Sequence, residues 1–198
     1  MTKLHFVGLD CETTGSHPKS GEVASQTYQL IQIGLAVFDA EGELQTFSSD
    51  VGYDEWNSEQ EAMDVNKFTP ERIKAGPKAS AVDTKACEWL DAHVGTGKRG
   101  LLMVGLNVAG YDMPFVRQYL PKMADRFSYR SVDLNAIIFA QSSTDDDFRE
   151  FKSMLKNDAV EMLKAEYMEP NWHDAQFDAA AALMMLRKLR IYLGTREE

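Results

Sequence analysis

Two carboxylates two residues apart, Asp10 and Glu12, close the apolar run of FVGLDCETTG at 6–15. In an extended strand, side chains alternate between faces, so both acids project together while Cys11 points the other way into packing. Acids side by side repel, and a bound divalent cation removes the repulsion. Mg²⁺ in particular is held by one or two carboxylates plus substrate phosphate oxygens. A D-x-E pair alone is more often a wet strand edge, so a metal reading needs further acids. Two stand in suitable places. Asp112, in GLNVAGYDMPFV (105–116), follows an apolar strand and starts a helix that Pro114 is suited to open. Asp178, in NWHDAQFDAAAALMMLRKL (171–189), lies on an Ala-rich amphipathic helix, with His173 just ahead of it. His173 and Asp178 would stand about 140° apart on a continuous helix. They meet only if His173 lies in the preceding loop, which a cap at Asn171 or Asp174 allows. Taken singly, Asp112 reads as a helix cap and His173 as a surface or packed histidine.

The elements that must position these residues follow from hydrophobic periodicity. LHFVGLD reads as a buried strand, and TYQLIQIGLAVFD (27–39) and ELQTFSSDV (43–51) as two more, joined by a turn at Gly42. Helical spacing follows at 79–94, then a strand in GLLMVGLN (100–107), a short helix in YDMPFVRQYL and a strand in FSYRSVDL ending at Asp133. Two more helices are expected at about 157–167 and 174–193, with the acidic TDDDF (144–148) as a solvated loop or helix start. Strands first, then alternating helix and strand, predict an α/β fold with a mixed sheet flanked by helices. With 198 residues, 44% of them hydrophobic, the chain suits one domain over 1–198. It shows no repeat, low-complexity tract or linker. Two cysteines make no disulfide framework, and neither a signal peptide nor a membrane span is legible, so the expected setting is cytoplasmic. A net charge of −10 argues against coating long duplex DNA. It leaves either no nucleic-acid partner or a small contact in which cations and a local basic patch offset the acid.

In order and spacing, D-x-E-T-T-G at 10–15, Asn107 and Asp112 in GLNVAGYDMPF, and HDAQFDA at 173–179 resemble the DEDD superfamily of 3′–5′ exonucleases, in the branch with a catalytic histidine. NKFTPERIKAGP (66–77) resembles that family's loop-and-turn segment, so the likeness spans about residues 4–190. Thr13 stands where oligoribonucleases usually have Met, and FTPERI is closer to the proofreading subunit of DNA polymerase III. The five-residue step from Asn107 to Asp112 and YRSVDLNAI (129–137) are closer to oligoribonuclease. SHPKSGEVASQTYQ (16–29) lengthens the first connection.

The resemblance implies a ribonuclease H-like, five-stranded mixed sheet flanked by helices, and a hydrolase served by two divalent cations, Mg²⁺ or Mn²⁺. It makes Asp10, Glu12, Asp112 and Asp178 the metal ligands and His173 the general base, a role suited to a side chain that ordinarily titrates near working pH. It implies Thr13, Thr14, Phe68 and Asn107 as substrate contacts, and 3′ ends of single-stranded DNA or RNA as partners. It is compatible with a homodimer and with a polymerase or another replication or repair partner, and calls for no membrane. Two other classes stay open: a catalytically silent nucleic-acid-binding module on the same fold, against which the intact acids argue, and another metal-dependent phosphohydrolase. Trp56, Trp89, Met184 and Met185 read as packing, and His5, His17 and His93 have no partner spacing.

Overall fold

The computed structural model describes residues 5–17, 27–95 and 100–194, so most of the 16–29 insertion lies outside the described residues. Five strands form one sheet: β1 (His5–Thr13), β2 (Leu30–Phe38), β3 (Leu44–Asp50), β4 (Leu101–Gly105) and β5 (Phe127–Asp133), in the order β3-β2-β1-β4-β5. The first three are a meander of antiparallel neighbours, and β4 and β5 add in parallel to β1. This is the mixed sheet that the hydrophobic periodicity predicts, because parallel strands need crossover segments and the chain supplies helices between them.

The helices are α1 (Gln60–Asn66), α2 (Pro70–Ala75), α3 (Ala79–Val94), α4 (Asp112–Tyr119), α5 (Pro121–Ala124), α6 (Leu134–Ala140), α7 (Asp145–Glu166) and α8 (Ala175–Tyr192). α3 occupies the residues its spacing predicts. α7 starts well before the expected 157, with Thr144 as its cap accepting from the Asp147 amide and three acids in its first turn. Those acids complement the helix dipole. Thus TDDDF is a helix start. α6 was not expected, and α2 forms inside the segment read as loop and turn, capped by Thr69 with Pro70 at its first position.

Alternation along β1 splits the molecule into two cores. Val7, Leu9 and Cys11 face a cluster that includes Val82, Ala86 and Leu90 of α3 and Phe115 and Val116 of α4. Gly8 lies on the opposite face under α8, where a Cβ would collide with the Ala179 carbonyl. On β2 a Cβ at Gly34 would likewise strike the Ala175 carbonyl. The two glycines therefore let α8 lie directly on the sheet. With α7 covering its outer side, residues 179–186 of α8 are buried almost without interruption. Burial of Met184 and Met185 in that core agrees with the packing role read from the sequence.

Candidate active site

The carboxyl end of β1 outruns its parallel neighbour. β4 pairs with β1 only over His5–Gly8, which leaves the following edge of β1 open. Asp112, at the start of α4, fills the opening: its Oδ1 accepts from the Cys11 amide at 2.9 Å. That bond anchors a carboxylate that is only 4% exposed. Asp10 and Glu12 project from the same strand into a cleft they share with Asp178 and His173. Open α/β sheets characteristically bind ligands at the carboxyl ends of their strands.

α8 delivers Asp178, and its start is tied to the sheet by a group the motifs do not contain. The side chain of Gln32, buried in β2, accepts from the Ala175 amide at 2.9 Å and donates to Asp174 at 3.2 Å. Asp174 in turn caps α8 by accepting from the Gln176 amide. His173 lies just outside the helix, with a positive φ of 66°. Its backbone N–H donates to Asp178 Oδ2 at 3.0 Å. The loop placement is what lets two side chains five residues apart converge. A ligand atom each from Glu12, His173 and Asp178 falls within 4.8 Å of the others.

The acids here outnumber the cations that reach them, Lys156 and Arg72. Burial pushes the Asp10 carboxyl well above the usual carboxylate range, with Asp112, Asp178 and Glu12 adding to the effect. Burial, then Asp178 and Asp174, raise Glu12 to about 8. Burial also raises Asp112, against the opposing pull of its bond from Cys11, and lifts Asp178 to about 6 despite the His173 amide. The second oxygen of Asp178, Oδ1, is buried and has no hydrogen-bond partner. Buried acceptors normally have one. Clustered all-oxygen donors with one imidazole, and an orphaned carboxylate oxygen among them, fit a divalent cation.

The turn after β1 is clamped from several sides. Thr13 bonds through its hydroxyl to the Gly15 carbonyl and to the Tyr111 hydroxyl, both at 2.9 Å, and its own carbonyl accepts from Asn66. Thr14 accepts from the Gln29 amide, and Glu59 holds the Ser16 amide and hydroxyl. Of the four residues expected to contact substrate, only Thr13 borders the cleft. The Thr14 hydroxyl is spent on Gln29. Phe68 is buried against Ile31 and Ile73 with the Arg72 guanidinium 3.6 Å from its ring centroid. Asn107 is exposed and takes a left-handed φ of 66° in the turn after β4, its backbone N–H donating to Asp133 Oδ1. Local bonds and packing thus engage Thr14 and Phe68, whereas the exposed Asn107 is held through its backbone, outside the residues that line the cleft. Gln32, Asn66, Glu59 and Tyr111 were missed. The available signal was the polar Gln32 within the apolar run LIQIGLAVF.

A ribonuclease H-like sheet with an acidic cleft at the end of its first strand defines a nuclease of the DEDD type. An exonuclease family model matches residues 7–186, and the chain belongs to that exonuclease family. It is 28% identical over 142 residues to an oligoribonuclease of Paracidovorax citrulli (strain AAC00-1), covering 68% of each chain. Among solved structures it is similar to E. coli exonuclease I in complex with a dT13 oligonucleotide, with a TM-score of 0.65 and 18% identity over 95% of this chain and 41% of that one. It is also similar to the nuclease domain of 3′hExo, a DEDDh family member bound to rAMP, with a TM-score of 0.59 and 14% identity over 98% and 96% of the two chains. Among the described residues no helix is long and apolar enough to cross a membrane.

Proposed function

We propose that the protein removes nucleotides one at a time from the 3′ ends of single-stranded DNA or short RNA and releases 5′-mononucleotides. In this reading Asp10, Glu12, Asp112 and Asp178 hold two divalent cations, Mg²⁺ or Mn²⁺, and His173 is the general base. The observation that carries it is the orphaned Asp178 Oδ1 beside the convergent Glu12 and His173. Cations bound there would supply charge stabilisation at the phosphoryl group and leaving oxygen and would make water more acidic.

The chain's own groups do the rest. Asp112 is fixed by the Cys11 amide, and Asp178 by the His173 amide, so both carboxylates are oriented before substrate arrives. The imidazole of His173 takes the proton of the attacking water as the water oxygen bonds to phosphorus and the bond to the upstream 3′ oxygen breaks. The main cleft, about 430 Å³, lies within the ~300–1,000 Å³ typical of ligand sites. Ala62, Val65 and Tyr111 give it apolar walls, and Glu59 and Glu61 are acidic. Such walls suit the sugar and base of a terminal nucleoside better than a run of phosphates. The relatives support substrates of both kinds: one is called an oligoribonuclease, another is bound to dT13 and a third to rAMP.

The test is digestion of 5′-labelled linear DNA, linear RNA and a circular single strand, with Mg²⁺, Mn²⁺ or EDTA. Stepwise shortening of linear strands from the 3′ end, a resistant circle and no activity in EDTA are expected. Circles cut as fast as linear strands, or full activity in EDTA, would overturn the proposal.

A further inference from the structure

A second cleft of about 230 Å³ meets the first at Asp10, His173 and Asp178 and runs between the end of β4 and the α7 face. Its lining includes Leu106, Ser153, Lys156, Asn157, Trp172 and Met185. The main cleft has Glu59 and Glu61 on its walls, whereas here the added charge is the ammonium of Lys156. Lys156 Nζ stands 4.1 Å from the centroid of the Trp172 ring. It makes no ion pair among the described residues, although its charge is felt at both Asp10 and Asp178. Lys152, one turn earlier on α7, is half-buried and feels the repulsion of Lys156. Like charges at this spacing destabilise a helix by a few tenths of a kcal/mol. An ammonium resting on an indole beside Asp10 and Asp178, neither of which it pairs with, and with Lys152 one turn away on the same helix, offers a local cation for an anion in a chain of net charge −10.

Resting on the exonuclease reading above, we infer that Lys156 binds the phosphodiester immediately 5′ of the scissile one, so that the strand leaves through the second cleft along α7. A terminal nucleoside brings only the scissile phosphate with it. Every further nucleotide adds a phosphate on the upstream side, where the basic wall stands. A lysine serves such a contact as a compact point charge with three donors.

Chain length isolates this contact. The p-nitrophenyl ester of thymidine 5′-monophosphate and the dinucleotide dTdT carry a cleavable bond but no upstream phosphate; dTdTdT carries one. Lys156→Met keeps the stem that packs on Trp172 and removes the charge. For dTdTdT and longer strands its KM should rise about tenfold, as expected for one lost charge-assisted contact of ~1.4 kcal/mol, and its salt dependence should weaken by about 0.7 in log–log slope. Because the charge of Lys156 also reaches Asp10 and Asp178, the ester and dTdT report that shared effect; the loss on dTdTdT should exceed theirs by about tenfold, and Lys156→Arg should restore binding of dTdTdT. Equal losses on all substrates would overturn the inference, since Lys156 would then be acting on the scissile phosphate, the carboxylates or the His173 loop. Unchanged kinetics on every substrate would overturn it as well. A wild-type protein inactive on all of them would instead refute the exonuclease reading.

Discussion

The two faces of β1 are built from alternate residues of one short stretch, and they serve opposite ends. Val7, Leu9 and Cys11 sit in a dry core against α3 and α4. Gly8, Asp10 and Glu12 lie on the other face, where the sheet gives up apolar burial first for close approach of α8 and then for charge. One face contributes stability, and the other spends it on carboxylates that burial holds far from their ordinary titration. A strand's period of two makes this division possible without any change of backbone.

Substitutions at neighbouring positions should therefore fail in opposite ways. Asp10→Asn should nearly abolish turnover, a loss larger than the ~10²–10⁴-fold expected for removing a general base. It should also raise the melting temperature in EDTA, because one repelling charge is gone. A variant that unfolds would break the comparison by making Asp10 structural. His173→Ala should lower turnover by about 10²–10⁴-fold and change Mn²⁺ affinity little. A main effect on Mn²⁺ affinity would instead make the imidazole a ligand, which its proximity to Glu12 and Asp178 allows as the rival outcome. Leu9→Ala on the dry face should cost about 2–5 kcal/mol in denaturant unfolding while the folded fraction keeps its turnover. Loss of activity without loss of stability would contradict the division.

A pH dependence should be confined to the charged face. A carboxyl whose pKa is higher in the folded than in the unfolded chain binds its proton more tightly when folded. Its stabilisation is present in full below the unfolded value of roughly 4 and is lost as pH rises through the folded one. For Asp178 the loss should run up to about 6 and for Glu12 up to about 8. Melting temperature in EDTA should accordingly fall across that window, and Mg²⁺ or Mn²⁺ should restore it. A melting temperature that rises with pH in EDTA would reverse the sign and refute the burial of these acids.

Much of this was legible from residue pattern. Apolar and β-rich runs located all five strands, Pro114 marked where α4 begins, and of the two caps open for α8, Asn171 and Asp174, the structure uses Asp174. The requirement that His173 sit outside the helix followed from helical geometry alone, and its φ of 66° meets it. The start of α7 was obscured because its first turns are largely exposed and polar, giving little periodicity; the informative signal was Thr144 followed by three acids. α1 was hidden for a similar reason, since Asn66 is its one buried residue. The brace from Gln32 to the start of α8 spans more than 140 positions, and no local pattern reports a bond of that kind. Lys156 likewise becomes notable only when α7 places it beside Trp172 and the acids.

The central claim is that the charged face of β1 belongs to a cation cradle. It is tested most directly by calorimetric titration of Mn²⁺ into the wild-type protein and Asp178→Asn, in buffers of different ionisation enthalpy. Because the raised carboxyls must lose protons to bind metal, wild type should bind Mn²⁺ with proton release and with affinity that climbs as pH rises between about 6 and 8. Asp178→Asn should bind more weakly and release fewer protons. Binding of equal strength in both proteins with no proton release, or no Mn²⁺ binding by the folded wild type, would contradict the account.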